Sequence, residues 1–242
     1  MKNTIETKRI THRESYSVLM QDRSTFQRGF VALMLEEQGL AGRVLDIGCG
    51  AVMPEPLLEL QKHIGILDGV DLDPAVKKRT DLQERWHARF EDANIPTGRY
   101  DVAYAYNVVE HIPAGQPFFD KVQRILKPGG VFWALTPHGH HPFCKLARGI
   151  ELLGRKHFFH QIDPGVNDYP SYYRMNTYGS VMRKIEGMEF SKAHFHYFPC
   201  MQWDRYFPRT LRWLPHFYDA LLGLRVPRQM LIIAYRLENG QR

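Results

Sequence analysis

Runs of apolar residues alternate along the chain with segments in which apolar residues recur every three or four positions. This alternation is expected for strands that alternate with helices. Runs rich in β-branched and aromatic residues predict seven strands, at 44–47, 66–72, 86–90, 100–107, 131–137, 190–198 and 230–237. Helical spacing predicts helices at 117–126, 177–186 and 210–222. The pattern therefore predicts an α/β protein with a seven-stranded, mostly parallel sheet flanked by helices.

Turn and cap residues mark several boundaries of these elements. Asp73 and Pro74 are suited to the N-cap and first position of a helix after the second strand. Residues 127–130, Lys-Pro-Gly-Gly, predict a type II turn before the fifth strand. Residues 1–40 predict one or two helices closed by two glycines; their apolar positions are Phe26, Phe30, Leu33 and Leu35, and the closing glycines are Gly39 and Gly42.

The chain length favours one domain with four parts. At 242 residues the chain can bury one substantial α/β core and is short for two. We divide it into an N-terminal helical cover (1–40), a core (40–137), an inserted lid (138–176) and a C-terminal part of the sheet with a substrate cover (177–242).

Composition and cysteine usage indicate an intracellular protein. The first residues are charged and lack the apolar segment of a secretory signal, and no apolar run approaches the ~20 residues that span a bilayer. The three cysteines, Cys49, Cys144 and Cys200, are scattered and predict free thiols rather than disulfides or a zinc site. We therefore expect a cytoplasmic location without a transmembrane segment.

The net charge of +6 raises the question of a nucleic-acid partner. The basic residues are spread along the chain, and the longest run is Lys77-Lys78-Arg79, which we expect on the solvated face of a helix. A nucleic-acid module usually concentrates such residues on one element. The charge pattern disfavours nucleic acid and leaves an anionic acceptor or an anionic membrane surface open.

A glycine motif after the first predicted strand indicates a nucleotide-like ligand. Residues 44–52 read Val-Leu-Asp-Ile-Gly-Cys-Gly-Ala-Val, so Gly48 and Gly50 let the backbone lie against a ligand. A dinucleotide site would need a third glycine where Met53 stands, and would place the carboxylate of Asp46 near a pyrophosphate. A carboxylate suits a positively charged ligand instead. The motif predicts S-adenosylmethionine, which carries an ammonium and a sulfonium group.

Acidic residues after the next two strands suit the other end of this cofactor. Asp71 ends the second strand, 21 residues after Gly50, where it can accept hydrogen bonds from both ribose hydroxyls. Residues 91–93, Glu-Asp-Ala, follow the third strand, and Asp92 could accept from the adenine amino group.

Five motifs in their order resemble the class I S-adenosylmethionine-dependent methyltransferases, including the type 11 and ubiquinone-biosynthesis-type O-methyltransferases. They read VLDIGCG, GVDLDP, EDA, YNVVEH and RILKPGG, and cover about residues 40–137. The resemblance implies a Rossmann-like fold with N-terminal helices packed over the cofactor. It implies cofactor contacts at Asp46, Gly48, Cys49, Gly50, Asp71, Leu72, Asp92, Ala93 and Asn107. The family usually has a third glycine where Val52 stands, so we expect the start of the next helix, and the contacts to the methionine part of the cofactor, to differ here.

The inserted lid and residues 203–229 are expected to bind the methyl acceptor. Ligands of open α/β sheets lie beyond the carboxyl ends of the strands, where the lid begins. Residues 169–174 of the lid, Tyr-Pro-Ser-Tyr-Tyr-Arg, resemble a stretch in family members that act on saccharide or lipid-linked acceptors. The candidate substrate-binding residues are His138, Tyr172, Tyr173 and Arg174. A lid that only closes the core is an equally open alternative.

Residues 203–229 mix aromatic and basic side chains. The aromatic residues are Trp203, Tyr206, Phe207, Trp213, Phe217 and Tyr218, and the arginines are Arg205, Arg209, Arg212, Arg225 and Arg228. Such a mixture can lie at a membrane surface or cover a substrate pocket, but we expect the aromatic residues to be buried against the sheet. Peripheral membrane contact therefore stays open, as does the oligomeric state.

Glu110 and His111 directly follow the fourth predicted strand, beside the expected position of the transferred methyl group. His111 is the candidate general base, and Glu110 could orient it. A purely structural role for His111 in the loop is the alternative.

A divalent metal is a further alternative. Some relatives use Glu-x-x-Glu-His and a later histidine, a position open here to His138, His140 or His141. Asn107 stands at the first glutamate of that pattern, and losing a carboxylate weakens a site for a hard cation. The sequence favours a site without metal.

These predictions converge on an S-adenosylmethionine-dependent methyltransferase that O-methylates a small molecule or a saccharide or lipid-linked acceptor. N-methylation is the alternative reaction. A catalytically silent partner subunit that keeps the cofactor pocket is the alternative of a different class.

Overall fold

The computed structural model describes residues 26–142, 144, 145, 149, 169–198, 209–211, 213, 214, 217 and 232–241. Most of the first predicted helical segment, much of the inserted lid, most of the helix predicted at 210–222, and Cys200 lie outside these residues.

Seven strands within the described residues form one sheet. They are β1 (Arg43–Ile47), β2 (Ile66–Asp71), β3 (Arg85–His87), β4 (Tyr100–Tyr106), β5 (Leu126–Pro137), β6 (Phe190–Phe198) and β7 (Ile232–Asn239). Their order is β3-β2-β1-β4-β5-β7-β6, with β7 antiparallel to both neighbours and the other pairs parallel. The prediction of a seven-stranded, mostly parallel sheet is confirmed.

Four α-helices have both of their ends within the described residues, and residues 213, 214 and 217 are helical as well. The four helices are α1 (Phe26–Leu35), α2 (Leu58–Gln61), α3 (Gly115–Ile125) and α4 (Tyr178–Ile185). Short 3-10 turns occur at Gln38–Ala41, Glu55–Leu57, Pro74–Lys78 and Val109–His111. The side chain of Asp73 caps the third of these turns by accepting from the Ala75 amide at 2.8 Å, as its sequence position predicts. The helix expected after this cap is only the 3-10 turn Pro74–Lys78. No helix of the described chain is long and apolar enough to cross a membrane.

Helix α1 covers one face of the sheet. Phe26, Phe30 and Met34, spaced four apart, are buried, and the Phe30 ring contacts Trp133 of β5 edge-on at 6.0 Å. The prediction that Leu35 belongs to the buried face of this helix is wrong, because Leu35 is 37% exposed. Met34 is buried in that face instead. Helices α3 and α4 pack on the opposite face, so the core lies on both sides of the sheet.

The turn predicted at residues 127–130 lies within β5 and interrupts its pairing with β4. Leu126 already pairs with Tyr100, and Val131 pairs with Val102, so the intervening residues form an irregularity in β5. Gly129 adopts a φ of 73°, which glycine accepts without strain and which a turn at this position requires. The fifth strand therefore begins earlier than expected, and β3 is shorter than its predicted range.

The sheet topology fixes where a ligand can bind. β1 lies between β2 and β4. From β1 the chain continues to β2 and β3 on one side, and from β3 it crosses to β4 on the other side of β1. In open α/β sheets a crevice forms beyond the carboxyl ends of the strands at such a switch point. The loops after β1, β2, β4 and β5 border that crevice.

Candidate active site

The loop after β1 turns sharply at Gly48. Gly48 has a φ of 74°, and its amide donates to the carbonyl of Val70 at 2.8 Å. A Cβ at this position would lie 2.3 Å from Cγ2 of Val108, just beyond β4. Glycine is therefore required here both by the backbone conformation and by the close approach of the β4 loop.

The second glycine of the loop borders open space. Gly50 has a φ of 60°, and a Cβ built on it would meet nothing closer than the carbonyl of Val52 at 4.0 Å. Its amide donates to Oδ2 of Asp71 at 2.6 Å, while Oδ1 of Asp71 accepts from the amide of Asp73 at 2.7 Å. A carboxylate has about four acceptor sites, so Asp71 keeps capacity for the hydroxyls of a ligand.

Asp46 is a buried carboxylate beneath this loop. It is 2% exposed, and its Oδ2 has no hydrogen-bond partner. The hydroxyl of Tyr104, at the paired position of β4, interacts with this carboxylate but lies outside normal hydrogen-bond geometry. Burial raises the pKa of Asp46 to about 7, opposed by Tyr104 and by the positive charge of Arg79. Asp46 is thus an incompletely satisfied anion that a nearby ligand cation would stabilise.

Arg79 corrects one expectation from the sequence. Lys77 and Lys78 are exposed as expected, but Arg79 is 4% exposed rather than on a solvated face. Its Nη1 donates to the carbonyl of Cys49 at 2.5 Å. The Cys49 side chain is itself buried, and burial raises the pKa of its thiol, so its ligand contacts would come from the backbone.

The loops after β2 and β3 offer an apolar side chain and a second carboxylate. Leu72, next to Asp71, is 47% exposed, which suits contact with a flat ring. Asp92 is exposed, whereas Ala93 is buried and its carbonyl accepts from Nζ of Lys121 at 2.5 Å.

These features fit S-adenosylmethionine. The buried carboxylate of Asp46, which has one unpartnered oxygen, suits the cofactor's positive charge. The open space beside Gly50 leaves room for the cofactor to lie against the loop. Asp71 and Leu72 suit the ribose and the adenine.

The end of β4 carries an unusual backbone conformation. Asn107 has a φ of 54°, a left-handed conformation that asparagine tolerates better than most residues, and its amide donates to the carbonyl of Leu135 at 2.9 Å. Such conformations concentrate at functional sites. Asn107 therefore bends the chain at the crevice, where the sequence placed a cofactor contact.

Glu110 is buried, and its main partner differs from the expected one. Its Oε2 accepts from the hydroxyl of Thr136 at 2.8 Å, and that hydroxyl accepts from Nδ2 of Asn176 at 2.5 Å. Among the described contacts, no hydrogen bond joins the Glu110 carboxylate to His111, and the two groups interact through their charges. Burial raises the pKa of Glu110, opposed by its proximity to His111.

His111 is oriented instead by the returning part of the lid, residues 169–176, which we call the strap. Nδ1 of His111 lies 3.1 Å from the carbonyl oxygen of Pro170, and its ring lies 6.2 Å from that of Tyr169. A carbonyl only accepts, so Nδ1 carries the proton. In the neutral ring, Nε2 then keeps its lone pair, as a general base requires.

The strap is fixed to Glu110 through the backbone. The amides of Tyr172 and Tyr173 donate to the Glu110 carbonyl at 2.7 and 3.1 Å, and Tyr173 has a φ of 49°. Both tyrosines are half-buried, and Arg174 is exposed. The strap thus lies against the loop after β4, as a role in acceptor binding requires.

The histidines after β5 are placed differently from one another. His138 is 1% exposed and its ring packs against Tyr197 at 5.4 Å, which leaves it no surface for an acceptor in this arrangement. His140 is exposed and His141 is buried. Among the described residues, no group of three or more His, Cys, Asp or Glu side chains is arranged to hold a metal ion.

Sequence reasoning missed residues whose role depends on distant partners. These are Arg79, Tyr104, Thr136, Tyr169 and Asn176. Thr136 is the last residue but one of β5, and a polar residue at a strand end was an available signal. Arg79 gave no signal, because a basic residue after two lysines is usually solvated.

Comparison with known proteins agrees with this geometry. Residues 45–134 match the family model of a methyltransferase domain. A ubiquinone biosynthesis O-methyltransferase of Paramagnetospirillum magneticum is 26% identical over 172 residues, covering 66% of this chain and 67% of that protein. The chain thus spans about two thirds of the length of this relative.

Solved structures share the fold at low sequence identity. An S-adenosylmethionine-dependent methyltransferase from Mesorhizobium loti has a TM-score of 0.54 at 18% identity, covering 86% of this chain and 95% of that one. The phosphoethanolamine N-methyltransferase 2 of Haemonchus contortus, bound to phosphomonomethylethanolamine and S-adenosylhomocysteine, has a TM-score of 0.58 at 14% identity. The match covers 97% of this chain and 58% of the nematode enzyme.

Strand order, motif order and these matches define the class of the protein. Residues 45–134 match a methyltransferase domain, and the fold and the relatives support the class I S-adenosylmethionine-dependent methyltransferase superfamily. The protein is a methyltransferase, and S-adenosylmethionine is its cofactor.

Proposed function

We propose that this enzyme methylates a hydroxyl oxygen of an acceptor bound between His111 and the strap, with His111 as the general base. One observation carries the proposal. Nδ1 of His111 donates to the carbonyl of Pro170, so Nε2, which lies just beyond β4, keeps the lone pair that can accept a proton. A hydroxyl is a weak nucleophile and gains from a base in this position, typically about 10²–10⁴-fold in rate.

The cofactor supplies an electrophilic methyl group, and the protein's part is alignment and proton removal. Asp71, Asp46 and the glycine loop would hold the cofactor at the ends of β1 and β2. His111 and the strap would hold the acceptor hydroxyl and take its proton at Nε2. Such alignment is worth about 7–11 kcal/mol when reacting groups are held in line.

Oxygen as the methylated atom has weak independent support. The curated relatives are O-methyltransferases at about one quarter identity. The acceptor class rests on the strap, whose Tyr172, Tyr173 and exposed Arg174 suit a polar or anionic small molecule or a saccharide.

A lipid-linked acceptor is supported by a second surface. Leu211, Trp213, Leu214 and Phe217 are between 43% and 61% exposed, so the expectation that Trp213 and Phe217 are buried against the sheet is wrong. In sequence they lie among arginines. Exposed apolar side chains with neighbouring positive charge suit the interface of an anionic membrane, where such an acceptor would reside.

Methyl transfer to unidentified acceptors tests the proposed reaction. Purified enzyme is incubated with methyl-labelled S-adenosylmethionine and separate aqueous and lipid extracts, and the labelled product is identified by mass spectrometry and NMR. We expect a methyl ether. A methylated nitrogen would contradict the proposal in favour of N-methylation. Absence of any product from both extracts, with normal cofactor binding, would favour a silent partner subunit.

The acceptor role of the strap has its own test. Hydrogen exchange of residues 169–176 is compared in free protein and with S-adenosylhomocysteine, because ordering lowers local opening. We expect cofactor to slow exchange at Tyr172 and Tyr173. Equal exchange in both states would favour a strap that only closes the core.

A further inference from the structure

A buried arginine contacts the cofactor loop from the segment that follows β2. Nη1 of Arg79 donates to the carbonyl of Cys49 at 2.5 Å, between two glycines that both have positive φ. Nε and Nη2 donate to the two carboxylate oxygens of Asp81 at 2.7 and 2.6 Å. The guanidinium is therefore held rigidly by Asp81 and presents a further donor to the loop.

The loop lacks the support that such loops usually have. In Rossmann-type sites a helix begins directly after the loop, and a third glycine lets it pack closely. Here residues 51–54 are not helical, the following turn begins at Glu55, and α2 has four residues. Side chains support the loop instead, because Asp71 holds the amide of Gly50 and Arg79 holds the carbonyl of Cys49.

The charge of Arg79 also needs an explanation. Burying a guanidinium carries a large desolvation penalty that only close anions and hydrogen bonds offset. Asp81 is one such anion, and Asp46, which interacts with Arg79, is the second. A cation beside the site of a cationic ligand would weaken binding of that ligand. We therefore expect Arg79 to have a compensating role, either in holding the loop or in keeping Asp46 ionised.

We infer that Arg79 is a positioning residue for the cofactor. It holds the Cys49 carbonyl, and with it residues 48–50, in the conformation that binds S-adenosylmethionine. This role concerns cofactor binding and does not depend on which acceptor atom is methylated.

Arg79 has a second, electrostatic effect on the same site. The titratable groups that interact electrostatically with Asp46 are Tyr104 from β4, Asp71 from β2, the Cys49 thiol, Asp81 and Arg79. Arg79 is the cation of this set and lowers the pKa of Asp46, so it favours the ionised carboxylate that attracts a ligand ammonium.

The experiment is calorimetric titration with S-adenosylhomocysteine between pH 6 and pH 8.5, with circular dichroism as the control for folding. Arg79→Met should weaken binding about 10- to 100-fold at pH 8, as for the loss of a charged hydrogen bond. The affinity of Arg79→Met for S-adenosylhomocysteine should still rise with pH. The pH at the midpoint of this rise should be higher than in the wild type, because Asp46 has lost its neighbouring cation. Lys78→Met, the exposed neighbour, should match the wild type in both respects.

Arg79→Lys separates the two effects. It keeps the charge but cannot hold Asp81 and Cys49 together. We expect weakened binding with the wild-type pH midpoint, a pattern that a general loss of packing would not produce. A folded Arg79→Met with wild-type affinity and midpoint would overturn the inference. If Arg79→Met does not fold, Arg79→Lys decides, because wild-type affinity or a shifted midpoint in that variant would overturn it.

Discussion

The hydroxyl of Thr136 donates to the buried carboxylate of Glu110 at 2.8 Å, and this bond joins the end of β5 to the loop after β4. The Glu110 backbone carbonyl holds the strap at the same time. Glu110 therefore links the end of β5 to the strap. In the mechanism that we propose, His111 acts on the acceptor.

Loss of this hydrogen bond should destabilise the fold. Thr136→Val keeps the side-chain shape and leaves the buried Glu110 carboxyl and the Asn176 amide without their common partner. We expect the free energy of unfolding to fall by about 1–3 kcal/mol, measured by urea denaturation. Thr80→Val, at an exposed threonine, is the matched control and should change it by less than about 0.5 kcal/mol. An unchanged stability of Thr136→Val would refute the linking role.

Asp46 should make cofactor binding depend on pH. Because burial raises its pKa from 3.8 to about 7, the carboxylate is largely protonated below that pH and ionised above it. The affinity for S-adenosylhomocysteine should increase as pH rises through about 7 and then level off. Asp46→Asn should bind more weakly at pH 8 and show no such increase. The same pH profile in both proteins would rule out Asp46 as the titrating group.

The same shift affects the stability of the cofactor-free protein. A raised pKa means that the folded protein binds the proton more tightly than the unfolded chain. The stabilisation from this group is complete below pH 3.8 and is lost as pH rises through about 7. The stability of the wild type relative to Asp46→Asn should therefore decrease over this range, as denaturation at several pH values would show. A constant difference would contradict the shift.

His111 should contribute to turnover and not to cofactor binding. With an identified acceptor, His111→Ala should lower kcat by about 10²–10⁴-fold and leave the affinity for S-adenosylhomocysteine unchanged. His63→Ala, at an exposed histidine just after α2, is the control and should retain activity. Activity abolished by chelator and restored by a divalent ion would point to a metal instead. Undiminished turnover in His111→Ala would leave alignment as the whole of catalysis.

The strand ends could be predicted from the sequence, and with them most of the cofactor side of the site. Parallel strands bring their carboxyl ends to one edge, so Asp46, Asp71 and Asn107 had to lie near one another once the strands were recognised. Local chemistry, such as the cap at Asp73, was equally readable because both partners are close in sequence.

The remaining contacts depend on packing between distant segments. Thr136 is 26 residues from Glu110, and Asn176 is 40 residues from Thr136, so neither partner is visible in a local pattern. The burial of Arg79 depends on where the segment after β2 turns under the glycine loop. The orientation of His111 depends on the carbonyl of Pro170, 59 residues away.

Calorimetric titration of S-adenosylhomocysteine into the wild type and into Asp71→Ala is the most direct test of the cofactor site. Asp71 both accepts the Gly50 amide and keeps acceptor capacity for the ribose. We expect the wild type to bind and Asp71→Ala to lose about 1.5–3 kcal/mol of binding free energy. Glu55→Ala, at an exposed carboxylate beyond the loop, should bind as the wild type does. No binding by the wild type, or equal affinity in Asp71→Ala, would contradict the site at the ends of β1 and β2.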